Sequence, residues 1–256
     1  LVQQAMLLAK QYDAVIANPP YMGGSKMNRS LKEFAKLHFL NSNTDLFAMF
    51  IKRGFDYAKN TGFNSMVTMQ GWLFSSSFEV FREQLLAESS IYTLAQFGAK
   101  AFSEISGEVV QTVAFIIHKG FIDGLKPICF RLVDVEQNEK NIYLKKQLNR
   151  FDSLTQSDYK NISGSPIAYW STLKIHKIFL EATPLSDYAL LKAGTSTGDN
   201  PTFQRMWYEV EINNIEFKRY GNDFNSLKKW YPCNSGGGFR KWYGNNEVVI
   251  NWENDG

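Results

Sequence analysis

The sequence predicts an α/β fold, part of an open sheet followed by a mixed α+β region, on three observations. The apolar run Ala14, Val15, Ile16, Ala17 is too short for a helix and is closed by Pro19 and Pro20, so it reads as a buried strand ending at Asn18. Beyond it, short apolar runs alternate with stretches whose apolar residues recur at helical spacing, as in sheets layered with helices. The 256 residues, 44% hydrophobic and 21% charged, have the composition of a globular chain and suffice for one large domain or one and a half.

Taken in order, Leu1 to Lys10 reads as the tail of a helix leading into the first strand. Ser30 to His38 reads as a helix with Leu31, Phe34 and Ala35 on one face and Arg29, Lys32 and Lys36 on a solvated one. Thr44 and Asp45 start a further helix, carried by Leu46, Phe47, Phe50 and Ile51 and stopped by Gly62. Ser65 to Met69 is the second strand. Ser76 and Glu79 have capping-box spacing ahead of a helix to about Glu88. Ile91 to Phe97 and Val109 to His118 are two more strands, the second apolar, β-branched and therefore buried. Pro127 to Val135 is a last strand, Glu136 to Arg150 a charged helix, and the polar stretch 152–165 the expected boundary between residues 1–150 and 151–256.

Bulk properties exclude several classes. Two cysteines, Cys129 and Cys233, and three histidines show no ligand-like spacing, so no metal site or disulfide framework is expected and a reducing cytoplasm is the default. No apolar run approaches the length of a membrane span, so no membrane partner is expected. The net charge of +3 does not by itself argue for nucleic acid.

Asn18, Pro19, Pro20 and Tyr21 carry the chemistry. In open α/β folds ligands bind at the carboxyl ends of the strands, where this tetrapeptide falls. Each proline fixes its φ and lacks an amide donor, and Pro19 holds Asn18 extended. The result is a stiff loop offering acceptors and an aromatic face. An exocyclic amine or a side-chain amide has a delocalised lone pair and becomes nucleophilic only when acceptors hold its N–H bonds. The Asn18 side-chain oxygen and the Pro19 carbonyl could do so as fixed dipoles, and Tyr21 could stack on a planar base drawn from a duplex.

This tetrapeptide resembles motif IV of the amino-group methyltransferases that use S-adenosylmethionine, in the form typical of adenine-N6 enzymes. The later segments narrow the resemblance to the γ-type DNA enzymes, and most closely to the large adenine-specific methyltransferases of bacterial restriction and BREX phage-defence systems. It implies the carboxyl-terminal half of a Rossmann-like methyltransferase sheet, ending in a two-stranded hairpin, and then the start of a target-recognition region. It further implies that Asn18, Pro19, Pro20 and Tyr21 are catalytic, that Phe102 supports the flipped base, and that Phe50 either contacts the cofactor or is plain core. No glycine-rich turn precedes Asn18, so the chain is expected to be a fragment that binds S-adenosylmethionine poorly. The first strand should then expose an edge open to self-association.

Two later blocks strengthen the resemblance: Thr197 to Asn200 with Phe203, Arg205, Trp207 and Glu209, and Lys229 to Pro232 with Gly236 to Gly238, Arg240, Lys241, Trp242, Tyr243 and Gly244. Aromatics interleaved with Arg205, Lys218, Arg219, Lys228, Lys229, Arg240 and Lys241 suit phosphate contact and base stacking on double-stranded DNA, although any single tryptophan could equally fill a small core. Restriction or defence-system subunits are the further partners implied. Two alternatives stay open: a protein-glutamine or RNA amino-methyltransferase, and a non-catalytic DNA-recognition module of the same shape.

Overall fold

The computed structural model describes residues 1–99, 110–191, 196–217 and 228–253. They form two compact units, Leu1–Thr183 and Pro184–Gly256. Phe102, Lys218 and Arg219, singled out above, lie outside the described residues.

The first unit is α/β, built on a mixed six-stranded sheet in the order β1-β2-β4-β3-β5-β6. Its strands are β1 (Tyr12–Ala17), β2 (Ala58–Met69), β3 (Ser89–Gly98), β4 (Thr112–Lys119), β5 (Ile128–Arg131) and β6 (Arg150–Phe151). β1 runs parallel to β2, and β4 is inserted antiparallel between β2 and β3. The carboxyl ends of β1, β2 and β3 and the start of β4 therefore share one rim of the sheet. The helices are α1 (Val2–Ala9), α2 (Arg29–His38), α3 (Leu46–Tyr57), α4 (Glu79–Glu88), α5 (Lys140–Lys145) and α6 (Leu173–Glu181).

Helix α3 lies directly on the sheet. Phe47, Ala48 and Ile51 join Met66, Trp72, Leu86, Leu94, Phe115 and Ile117 in the main core. Gly54 lets the helix come close: a Cβ there would fall 2.7 Å from the Asn64 side chain of β2, whose Nδ2 donates to the Ile51 carbonyl at 2.8 Å. Helix α2 buries Ala35 and half-buries Leu31 in a small second cluster, whereas Phe34 points outward against His38 and Phe39.

Several expectations are corrected. β1 is a strand at the sheet edge, as expected, but it is not buried: it pairs with β2 alone and Ile16 is 80% exposed. Gly62 does not stop α3, which ends at Tyr57; it lies inside β2, where a Cβ would meet the Asp13 carbonyl at 2.9 Å, beside an irregularity in the β1–β2 register. No capping box opens α4: Ser76–Phe78 forms a 3-10 turn, the Ser75 and Ser77 hydroxyls bond each other, and Phe78 takes the cap position. The charged helix is only Lys140–Lys145, because Gln147 and Asn149 take positive φ and turn the chain into β6.

The boundary also moves. Residues 152–165 form part of the first unit, with Leu154, Gln156 and Tyr159 buried in it. Arg82 is what ties that stretch down. Fully buried, it donates from Nε to the Gly164 and Ser165 carbonyls at 2.9 and 3.0 Å and from Nη1 to those of Trp72 and Ser75 at 3.1 and 3.0 Å. Burial pulls its pKa down from the usual arginine value, and the charge is spread over carbonyl dipoles.

The second unit contains α7 (Asn200–Phe203) and a three-stranded antiparallel sheet ordered β7-β9-β8, from β7 (Gln204–Met206), β8 (Trp230–Cys233) and β9 (Val248–Asn251). Asp199 caps α7 through the Thr202 amide, and Val249, Ile250 and Ile215 supply its buried apolar residues. No described helix is long and apolar enough to cross a membrane, and no group of metal-binding side chains occurs among the described residues.

Candidate active site

The tetrapeptide leaves β1 at the rim, and its four residues face different ways. Asn18 and Pro20 are exposed, Pro19 is buried and Tyr21 is half-buried. The buried proline anchors the corner and leaves the asparagine side chain accessible to a ligand. Tyr21 packs edge-on against Phe47, with ring centroids 6.4 Å apart and planes at 88°. Its hydroxyl lies 3.3 Å from the Val67 carbonyl and 3.4 Å from Asn18 Oδ1, so its single proton is shared between them. Asn18 Oδ1 keeps accepting capacity for a second donor. Partial burial raises the phenol pKa, so the hydroxyl remains protonated and donating.

Asp45 holds the loop beyond Tyr21. Its Oδ1 accepts from the Met22 amide at 3.0 Å and from the Phe47 amide at 3.3 Å. One carboxylate thus caps α3 and secures the loop. Main-chain bonds from Leu46 to the Met22 carbonyl and from Gly24 to the Thr44 carbonyl, both 3.0 Å, complete the seam. The sequence identified Asp45 as a helix start, and the same Thr-Asp pair was the only signal of its second role.

A chain of amides runs along the same rim. The Tyr169 hydroxyl donates to Gln96 Oε1 at 2.6 Å, Gln96 Nε2 to Gln70 Oε1 at 2.9 Å, and Gln70 Nε2 to Gln111 Oε1. Tyr169 and Gln96 are buried, and Gln111 is exposed. Sequence reasoning missed this network, because nothing in the spacing announces that β3 and the ends of β2 and β4 bring the three glutamines together.

Phe50 is on α3 and is 40% exposed, although Phe47, Ala48, Met49 and Ile51 around it are buried. It is therefore not plain core. The cationic candidates are all in the second unit. Lys228 Nζ donates to the Ile215 carbonyl at 3.0 Å, Lys229 pairs with Glu253 at 3.3 Å, and Arg205 donates to the Pro201 and Gln204 carbonyls at 2.5 and 2.6 Å. Arg240 and Lys241 are exposed in the loop joining β8 to β9.

Residues 3–102 match the family described as Eco57I restriction-modification methylase. The particular relatives bear out the resemblance read from the sequence. The chain is 48% identical over 255 residues to the adenine-specific methyltransferase BrxX of Escherichia coli O9:H4 (strain HS). It is 38% identical over 267 residues to the adenine-specific methyltransferase PglX of Lacticaseibacillus casei (strain Zhang). Both alignments cover 100% of this chain but only 21% and 22% of the relatives, so the chain spans about a fifth of their length. Among solved structures, the type I restriction-modification methyltransferase subunit of Streptococcus thermophilus aligns with a TM-score of 0.43 and 17% identity, over 62% of this chain and 38% of that one.

Proposed function

We propose that this chain is the part of a DNA methyltransferase that holds the target base, the whole protein transferring a methyl group from S-adenosylmethionine to the N6 amino group of an adenine flipped from duplex DNA. The observation that carries this reading is the corner itself: an exposed Asn18 beside a buried Pro19, with Tyr21 fixed by its hydroxyl to β2. The Asn18 oxygen and the Pro19 carbonyl accept the two N–H bonds of the amine. Because the loop is held before substrate arrives, neither dipole must reorganise during reaction. Tyr21 gives the ring a surface to stack on.

S-adenosylmethionine supplies the electrophilic methyl group when bound. Phe50 fits it: an aromatic surface left open on a helix whose neighbouring residues are buried, five residues after the Asp45 that secures the catalytic loop, can lie against a purine ring. Further cofactor contacts are proposed for the parts of a longer protein outside the fifth of the relatives' length that this chain spans. A bacterial cytoplasmic setting, restriction or defence subunits as partners, and pairing of a second chain along the β1 edge belong to the same reading.

Asn18→Ala in the longer protein is the test. Removing one preorganised acceptor should lower the methylation rate by about 10²–10³-fold while DNA binding persists. Undiminished methylation of duplex DNA by that variant would refute the assignment. Methylation of RNA or of a glutamine side chain in place of DNA would favour the related amino-methyltransferases. Binding with no methylation even in the unaltered protein would favour a recognition module.

A further inference from the structure

The loop of residues 234–247 joins β8 to β9 in the second unit and carries Phe239, Trp242 and Tyr243, which are 88%, 88% and 85% exposed. Three adjacent large aromatics so fully in water are unusual on a surface that nothing contacts. The loop is shaped nonetheless. Asn245 bridges its neck, donating from Nδ2 to the Gly238 carbonyl at 3.3 Å and accepting the Ser235 amide at 3.4 Å. Gly237 permits that approach, since a Cβ there would fall 2.6 Å from Asn245 Oδ1, and Gly244 takes φ +151 against the Arg240 side chain.

Charge and side-chain type narrow the partner. From Lys228 to Glu247 the chain contains Lys228, Lys229, Arg240 and Lys241 against one carboxylate, Glu247, at the end of the loop. Lys241 Nζ sits 5.3 Å from the Trp242 ring centroid, so cation and ring present one surface. The loop has no Leu, Ile, Val or Met, which disfavours insertion into hydrocarbon and favours flat, polar-edged surfaces. A polyanion offering planar faces is a nucleic acid whose bases are accessible.

We infer that loop 234–247 is a base-stacking element: Phe239, Trp242 and Tyr243 stack on DNA bases freed from their duplex neighbours, while Arg240 and Lys241 contact the flanking phosphates. The choice of DNA as the nucleic acid rests on the proposed function. The stacking itself does not, and it goes beyond that reading in assigning a preference for locally opened over intact duplex.

The test titrates the full chain at several salt concentrations against an intact DNA duplex, the same duplex with a short central unpaired bubble, heparin, and vesicles of phosphatidylglycerol. The bubble duplex should bind about tenfold tighter than the intact one. Trp242→Ala and Phe239→Ala should abolish that preference with unchanged circular dichroism. Arg240→Gln and Lys241→Gln should weaken both duplexes and each reduce the salt slope by about one. Equal binding of bubble and intact duplex, indifference to Trp242→Ala, or tighter binding to heparin or vesicles would each overturn the inference. Lys145→Gln, at an exposed lysine of α5, serves as control and should leave the bubble preference unchanged. The methylation reading has its own test, so its failure with the bubble preference intact leaves the stacking element standing.

Discussion

The Tyr21 hydroxyl lies 3.3 Å from the main-chain carbonyl of Val67, forty-six residues further along the chain, and through that contact the Asn-Pro-Pro-Tyr corner after β1 is fastened to the neighbouring strand. The same hydroxyl reaches Asn18 Oδ1 at 3.4 Å, so one phenol proton couples the stacking ring to the acceptor proposed to hold the amine. Tyr21→Phe keeps the ring and removes the coupling. The change should cost about 0.5–1.5 kcal/mol in denaturant unfolding and, in the longer protein, lower turnover more than it weakens DNA binding. Unchanged stability together with unchanged turnover would show the contact to be idle.

Arg82 is predicted to matter most for stability. Its guanidinium serves carbonyls at Trp72, Ser75, Gly164 and Ser165. Arg82→Met fills similar space but leaves buried acceptors unpaired at about 1–3 kcal/mol each, so a loss beyond about 3 kcal/mol is expected. Limited proteolysis should then cut the 152–165 stretch before the sheet. A variant that unfolds like the parent protein would remove Arg82 as the tie between these segments.

Gln96→Leu interrupts the amide chain at a buried member, leaving the Tyr169 hydroxyl only the Phe130 carbonyl at 3.5 Å and Gln70 Oε1 without its donor. A loss of about 1–3 kcal/mol is expected, and the double variant with Tyr169→Phe should lose less than the sum of the two singles. Strict additivity in that cycle would show that Gln96 and Tyr169 do not act as one unit.

Burial pushes the Cys129 thiol up from 9.0 to about 12. Near pH 8 it should resist a thiol reagent in the folded chain, while the less buried Cys233 reacts; both should react in denaturant. Because the folded pKa is the higher one, its contribution to stability is complete below pH 9 and is lost as pH rises from about 9 towards about 12. Cys129→Val should flatten that part of the alkaline unfolding profile. Two equally fast thiols in the native chain would contradict the burial.

Much of the local structure was written in the sequence. Pro19 and Pro20 end β1 at Ala17, one residue before Asn18, because they cannot extend a ladder, and Asp45 starts α3 because its carboxylate satisfies an amide the helix leaves free. Wherever a residue's local meaning was outweighed by a neighbour distant in sequence, the reading failed. Gly62 has the signature of a helix stop, yet serves the close approach of β1 to β2. The polar stretch 152–165 resembles a linker, yet a buried arginine from α4 binds it into the first unit.

The sequence by itself determined the tetrapeptide, its place at the end of a strand, and hence the chemistry open to it, since proline geometry and side-chain type are fixed by adjacent residues alone. Only the tertiary structure decided that Tyr21 is fastened to Val67 and that three glutamines, one in β3 and two flanking β2 and β4, meet on the same rim. Those relationships depend on strand order and register, which arise from burying apolar surface over the whole sheet and leave no mark in any short stretch of chain.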